Sequence, residues 1–117
     1  VYRDLGQYDL AIEDLTEAIR LDPEYAGSYN NRGVGYRDLE QYDLAIEDLT
    51  EAIRLDPEYY GYYNNRGLVY RDLGQYDLAI KDYTEAIRLC REAMAQGWGG
   101  DWEKRIVRCE NRLAKLG

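Results

Sequence analysis

The sequence predicts an all-α protein built from stacked helix–turn–helix units. The first observation is a period of 34 residues, since Tyr2-Arg3-Asp4-Leu5 recurs at residues 36–39 and again at residues 70–73. The second is near identity: residues 2–35 and 36–69 agree at 29 of 34 positions. The third is that the apolar residues follow a helical spacing in every copy. A fixed period of this length is typical of units that pack on their neighbours, not of one closed core.

The second segment of each copy is predicted to be an amphipathic helix. In the second copy, apolar side chains recur at i, i+3, i+4 and i+7, which places them on one helix face: Tyr42, Ala45, Ile46, Leu49, Ala52 and Ile53. Asp56-Pro57 is expected to end this helix, because the residue before a proline is disfavoured in the α region. The next helix is expected from about residue 60 to residue 73.

A tight turn is expected between the two helices of a copy. Gly74-Gln75 in the third copy and Gly6-Gln7 in the first fit such a turn, whereas the second copy has Glu40-Gln41. If the turn needs a positive φ, Glu40 carries strain that a glycine avoids. Small residues that recur in phase are expected to let paired helices approach closely: Gly33, Gly67, Ala11, Ala45, Ala79, Ala18, Ala52 and Ala86.

The C-terminal part departs from the repeat. The third copy has Cys90-Arg91 where the others have Asp-Pro, so its second helix is expected to continue through Ala95. Residues 97–100 then form a break. A final helix over about 102–116 has one apolar stripe on an otherwise charged surface, as a capping helix requires: Trp102, Ile106, Cys109, Leu113 and Leu116.

These copies resemble the tetratricopeptide repeat, a 34-residue helix–turn–helix unit. The family has an aromatic residue, Gly and Tyr in helix A, then Ala, a large side chain, Ala and Pro in helix B. Counted as helix A followed by helix B, the second unit (26–59) matches with Tyr29, Gly33, Tyr36, Ala45, Leu49, Ala52 and Pro57. The third matches with Tyr63, Gly67, Tyr70, Ala79, Tyr83 and Ala86, and the first with Tyr2, Ala11, Leu15, Ala18 and Pro23.

The resemblance covers about residues 1–90 and implies a right-handed α-solenoid. It divides the chain into a truncated first unit (1–25), a second unit (26–59) and a third unit (60–95). A Gly-rich break at 96–100 and a capping helix at 101–117 follow. Proteins of this family are non-catalytic interaction scaffolds, so a peptide or protein segment is the expected partner.

The resemblance also implies a concave groove lined by helix A. The groove positions carried onto this chain are Asn30, Asn31, Val34, Arg37 and Asp38, then Asn64, Asn65, Leu68, Arg71 and Asp72, with Arg3 continuing the row. Asn amides can bind an extended backbone and Arg can bind a carboxylate through two bonds, which suits an acidic or C-terminal peptide. The alternative is that Arg37 and Arg71 pair with the neighbouring Asp38 and Asp72 and only solvate the face.

Two further features bear on the site. Relatives that clamp the tails of chaperones carry Lys where Asn30 and Asn64 stand and Asn where Val34 and Leu68 stand, so binding of a chaperone tail is not expected. Arg32 and Arg66 precede the helix A glycines, and aspartates recur in phase on helix B at Asp14, Asp48 and Asp82. Structural Arg–Asp pairs between helices are therefore expected.

Composition excludes several classes of function. The chain has no His, and no nucleophile–base pair, metal-ligand cluster or phosphate-binding loop is apparent, so neither an enzyme nor a cofactor is expected. The net charge is −8; residues 101–117 carry +2 and residues 1–100 therefore carry −10. Such an acidic array disfavours nucleic acid, because that affinity depends on cations that neutralise phosphates. No apolar stretch is long enough to span a membrane.

Two alternatives stay open. Cys90 and Cys109 either form a disulfide across the hairpin of the last two helices or remain as buried free thiols in a cytoplasmic protein, the expected location. The first unit lacks most of helix A, so its helix B, around residues 8–21, is expected to leave an apolar face uncovered. Such a face permits end-to-end self-assembly into oligomers or filaments, the alternative to groove binding.

Overall fold

The computed structural model describes residues 5–116, and within that range it contains six helices and no strand. The helices are α1 (Leu5–Leu21), α2 (Ala26–Asp38), α3 (Tyr42–Leu55), α4 (Tyr60–Asp72), α5 (Tyr76–Ala95) and α6 (Trp102–Leu116). The predicted all-α helical-repeat class is confirmed. These residues fall into two compact units that divide between Pro57 and Glu58, and each is described by itself.

In the first unit, α2 packs against both α1 and α3. The contact with α3 is close because Gly33 has no side chain: a Cβ there would lie 2.9 Å from Leu49 Cγ and 3.2 Å from the Ala45 carbonyl oxygen. Ala45, Leu49 and Ala52 are fully buried on the opposing face. Gly33, Ala45 and Ala52 therefore do have the steric role that the sequence predicts, whereas Ala11 is exposed.

In the second unit, α4 packs against α5 in the same way, and α6 then packs against α5. A Cβ at Gly67 would lie 2.7 Å from the ring of Tyr83, which is fully buried. The buried face of α6 centres on Ile106 and Cys109, which join Ala86, Ile87 and Cys90 of α5 in one apolar cluster. The stripe expected on the last helix is thus the face that packs.

The ends of α3 and α5 differ as the sequence predicts. Helix α3 stops at Leu55, directly before Asp56-Pro57. Helix α5 continues through the corresponding repeat position, Cys90-Arg91, and ends at Ala95. Gly97 follows with a φ of 76°, a left-handed conformation that glycine adopts without strain. The six extra residues lengthen α5 by about 9 Å.

The turn between paired helices does need a positive φ, which is 61° at Glu40 and 77° at Gly74. In both turns, the amide of the following glutamine donates to a carbonyl of the preceding helix: Gln41 to Tyr36 and Gln75 to Tyr70. The turn predicted at Gly6-Gln7 is wrong, because both residues lie inside α1. The Gly-Gln pair alone does not force a reversal, because glycine also adopts helical φ and ψ.

Candidate binding surfaces

The two in-phase arginines form paired, two-bond salt bridges across each helix pair. Arg32 Nε and Nη2 donate to the two carboxylate oxygens of Asp48 at 2.7 and 2.8 Å, and Arg66 binds Asp82 with both distances at 2.8 Å. The aspartates are buried and the arginine side chains are 19% exposed. These hydrogen bonds are the main cause that raises the pKa of each arginine. The expected Arg–Asp pairs between helices are therefore confirmed.

The predicted groove residues of the first unit lie along one side of α2. Asn30, Val34 and Arg37 are half-buried and follow one another at helical spacing, while Asn31 is exposed and lies further round the helix. Asn30 reaches it through its amide, which donates to Asn31 Oδ1 at 3.3 Å. This unit therefore presents an amide pair, an aliphatic side chain and a cation in that order.

The same order recurs in the second unit, with all four predicted residues half-buried. At its C-terminal end, Arg71 pairs with Asp72 at 3.3 Å, as the alternative of mutual pairing supposes for that residue. At its N-terminal end, Asn64 is engaged by α6: Arg112 Nη1 donates to Asn64 Oδ1, and Cys109 Sγ donates to the same oxygen at 3.7 Å. Arg3 and Asp4 lie outside the described residues.

The contact between α4 and α6 extends along two turns. Arg105 lies over the rings of Tyr60 (5.3 Å to the centroid) and Trp102 (4.6 Å), a cation–π arrangement. Burial raises the pKa of the Tyr60 hydroxyl, while Arg105 and Arg108 act in the opposite direction. Sequence reasoning missed this surface. The available signal was the spacing of the basic residues on the last helix, although the helix beside them could not be inferred from that spacing.

All five cations of α6 share one side of the helix, here called the cationic face: Lys104, Arg105, Arg108, Arg112 and Lys115. At 3.6 residues per turn, their positions fall within an arc of about 100°. Glu103 and Glu110 lie beyond the opposite edge of the apolar stripe, and Glu110 is bound there by Arg91 of α5 at 3.0 Å. The acids of α6 are therefore separated from its cations by the buried stripe.

The two cysteines are free thiols, buried side by side in the cluster between α5 and α6. Burial raises the pKa of the Cys90 thiol to about 11, with a smaller contribution from Cys109. Burial also raises the pKa of Cys109, against the opposing effect of Arg112 and Arg108. Both thiols therefore stay protonated at neutral pH and behave as small apolar side chains.

The first helix exposes positions that are buried in the other copies. Ala11 and Asp14 are exposed on α1, whereas Ala45 and Ala79 are fully buried and Asp48 and Asp82 are 6% and 4% exposed. Within residues 5–116, no set of three acidic or cysteine side chains is placed to hold a metal ion. In the same range, no helix combines the length and the apolar character that crossing a bilayer requires.

Paired helices closed by small residues, repeated along the chain with the same Arg–Asp bridge, define a helical-repeat protein. A family model described as Tetratricopeptide repeat matches residues 26–59 and 61–92, and a model described as TPR repeat matches residues 1–34. The chain therefore belongs to the tetratricopeptide repeat family.

Solved structures agree with this assignment. The TPR domain of Arabidopsis OM64 is 28% identical, with 94% of this chain and 83% of that chain covered and a TM-score of 0.76. The second TPR domain of Spaghetti (RPAP3), bound to the HSP90 peptide SRMEEVD, is 33% identical over 72% of this chain and 78% of that chain, with a TM-score of 0.69.

A more distant structure shares the fold alone. PcrH in complex with the chaperone binding region of PopD is 18% identical, with 95% of this chain and 79% of that chain covered and a TM-score of 0.83. A comparison with curated protein sequences found no match.

Proposed function

We propose that this protein is a non-catalytic interaction scaffold that binds a peptide or protein segment along the groove sides of α2 and α4. The observation that carries the proposal is the repeated stripe of amide, aliphatic and cationic side chains on these helices. In both units, the stripe is half-exposed, while the adjacent side of each helix packs closely through Gly33 or Gly67. An amide followed by an apolar contact and a cation suits an extended segment with polar backbone groups and a carboxylate.

The comparisons support a protein partner. Both TPR domains of Spaghetti were solved with an HSP90 peptide, and PcrH was solved with a region of PopD. The groove of this chain differs in chemistry from a Lys- and Asn-lined clamp, since Asn30 and Asn64 replace Lys and Val34 and Leu68 replace Asn. We therefore infer a different segment, with an acidic or C-terminal peptide as the first class to test.

A peptide library displayed on phage supplies the ligand for a test of this proposal. Val34→Asp and Leu68→Asp each place a charge in the apolar part of the stripe and should weaken binding of a selected peptide by about tenfold or more. Leu44→Asp and Leu78→Asp make the same change on the exposed sides of α3 and α5, where the leucines are 41% and 42% exposed. These controls should bind as the wild type does. A library that yields no ligand, or equal losses in the controls, contradicts the proposal.

The exposed side of α1 supports self-assembly as a second candidate. Ala11 and Asp14 are exposed where the other two copies bury the same residue types against a helix that provides Gly and Arg. A second copy of the chain could supply such a helix and, without closure, build a filament. Light scattering tests this directly, because a molar mass that stays near 13.7 kDa at all concentrations excludes assembly. If the mass rises, Ala11→Glu should lower it.

For the location of the protein, we propose the cytoplasm. Two buried free thiols suit a reducing compartment, in which cysteines persist without forming disulfides.

A further inference from the structure

The cationic face of α6 borders the predicted groove of the second unit. Arg105 contacts Tyr60, and Arg112 binds Asn64 one turn further along α4. Arg108 lies between these two arginines on α6, and its charge acts on the Tyr60 hydroxyl. Arg105, Arg108 and Arg112 thus follow the same direction as the groove stripe of α4, from Tyr60 towards Asn64.

These cations are not neutralised by carboxylates. Among the described residues, Lys104, Arg105, Arg108, Arg112 and Lys115 form no ion pair, whereas the exposed arginines Arg20, Arg54 and Arg88 each pair with a glutamate three residues before them. The nearest acid in the last turns of α6 is Glu110, which Arg91 holds on the far side of the apolar stripe. An uncompensated cationic surface on a chain whose first hundred residues carry −10 favours an anionic ligand at this place.

The orientation of Asn64 adds a second, independent feature. Its carbonyl oxygen accepts from Arg112 and Cys109, so the contact with α6 does not use its amide NH2 group. Within the part of the chain that the structure describes, this NH2 group makes no hydrogen bond. The surface therefore offers only donors: the Asn64 amide, the guanidinium groups of Arg108 and Arg112, and the two lysine ammonium groups.

The spacing of the cations matches an extended peptide. Lys104, Arg108 and Arg112 are four residues apart, which corresponds to about 6 Å along a helix. Alternate side chains of an extended strand point the same way and lie about 6.6 Å apart. Carboxylates at every second position of an extended segment can therefore each meet one cation.

We propose that the cationic face of α6, together with Asn64, binds an extended acidic peptide segment that carries carboxylates at alternate positions. The inference deepens the proposed function and rests on it, because it assigns the partner's chemistry to one part of the groove. Each contact is a hydrogen bond between ionised groups, so binding weakens as salt rises. A nucleic acid fits less well, since its closely spaced phosphates would extend past this 15-residue helix towards an otherwise acidic chain.

The test uses a fluorescein-labelled peptide of alternating Ser and Glu, measured by fluorescence anisotropy at low ionic strength. Arg108→Gln should weaken binding by about tenfold, and the double variant Arg108→Gln/Arg112→Gln by more. Arg108 is exposed and makes no hydrogen bond within residues 5–116, so the single variant should fold normally. Lys81→Gln is the control that removes one charge elsewhere, from a cleft of about 310 Å³ lined by α4 and α5 alone. It should bind as the wild type does.

Three results would overturn the inference. The first is equal binding of a peptide with Gln in place of Glu. The second is binding of the acidic peptide by Arg108→Gln as tight as by the wild type. The third is tighter binding of a single-stranded oligonucleotide or of anionic vesicles than of the acidic peptide. The displayed-library ligands separate this failure from failure of the proposed function. If a selected peptide no longer binds Leu68→Asp but still binds Arg108→Gln, the proposed groove stands and the proposed role of α6 does not.

Discussion

The helix pairs α2–α3 and α4–α5 are nearly the same sequence in two settings, so each serves as a control for the other. Both keep the Arg–Asp bridge, the glycine at the closest approach and a left-handed residue in the turn. They differ in the residue opposite the glycine, Leu49 or Tyr83, and in the turn residue, Glu40 or Gly74. They also differ at the end of the second helix, which stops at Pro57 or continues past Cys90.

The shared features show how the two helices of a pair are held together, and the differing features show how each pair is adjusted to its surroundings. The Arg–Asp bridge and the glycine are the same in both pairs although residues around them differ, so they define how the two helices meet. The large residue that packs against the glycine differs between the two pairs, and a buried Tyr ring and a buried Leu fill different volumes. Substitutions made at matched positions of the two pairs test this division.

The largest effect is expected from breaking a bridge. Arg66→Met leaves the Asp82 carboxylate buried without its cation, which should cost about 3 kcal/mol of unfolding free energy, measured by urea denaturation. Arg32→Met should cost a similar amount. Adding Asp82→Leu to Arg66→Met should restore most of the loss, because the uncompensated charge is then removed. A loss below 1 kcal/mol in both single variants would show that the bridge does not hold the pair together.

Partner binding gives a second readout for the same variant. Because Arg66 faces α5 and not the groove side, folded Arg66→Met should bind a selected peptide as the wild type does. Loss of binding in folded protein would mean that the bridge belongs to the binding surface.

The buried thiols distinguish the second unit from the first, which has no cysteine. In the unfolded chain Cys90 loses its proton near its ordinary pKa of 9.0, but in the folded chain only near a pKa of about 11. The thiol's contribution to stability is therefore complete below pH 9 and is lost as pH rises towards 11, by about 2–3 kcal/mol at most. Denaturation of wild type and Cys90→Ala across this range measures the difference. Identical slopes would refute the prediction, since the tyrosines titrate in both proteins.

A smaller effect is expected at the glycines. Gly67→Ala places a Cβ 2.7 Å from the rigid ring of Tyr83, and overpacking of this kind costs about 1–3 kcal/mol, partly offset by the better helix propensity of Ala. Gly33→Ala meets Leu49 Cγ at 2.9 Å, so a smaller loss is expected because Leu adjusts more easily. Adding Tyr83→Leu to Gly67→Ala should bring the two pairs closer together. If Gly67→Ala proves stabilising, the close approach is not required.

The smallest effect is expected in the turns. Glu40 adopts a φ of 61° that glycine reaches without steric cost, so Glu40→Gly should stabilise the first unit by about 1 kcal/mol. Gly74→Glu should destabilise the second unit by a similar amount. Thermal unfolding of both variants shows whether the exchange is symmetrical, and shifts of the same sign would contradict it.

Most of the fold could be predicted because its determinants are local and recur in phase. The period placed the helices, the prolines placed their ends, and the 34-residue recurrence of Arg and Asp predicted the bridges. Gly6-Gln7 was mispredicted because recurrence of a turn sequence does not by itself decide whether the chain reverses or continues as a helix.

The candidate site could be predicted only in part. The groove positions follow from the repeat, but the bond between Arg112 and Asn64 depends on which helix lies beside α4. The last helix does not follow the 34-residue pattern, so no earlier copy indicates its neighbours. The segregation of its charges can be seen in the sequence, whereas its position beside the groove required the structure.

The near identity of the copies also bears on how the chain reaches this fold. Arg32 meets a similar local sequence at Asp48, 16 residues away, and at Asp82, 50 residues away. Loop entropy favours the nearer partner by only about 1 kcal/mol. Between these two aspartates, proximity along the chain favours the correct pairing, whereas Asp14 lies 18 residues from Arg32 in the same local sequence and is not separated from Asp48 by distance. In a crowded solution of unfolded chains, helices of one molecule should compete for partners in another, and refolding yield should fall as concentration rises.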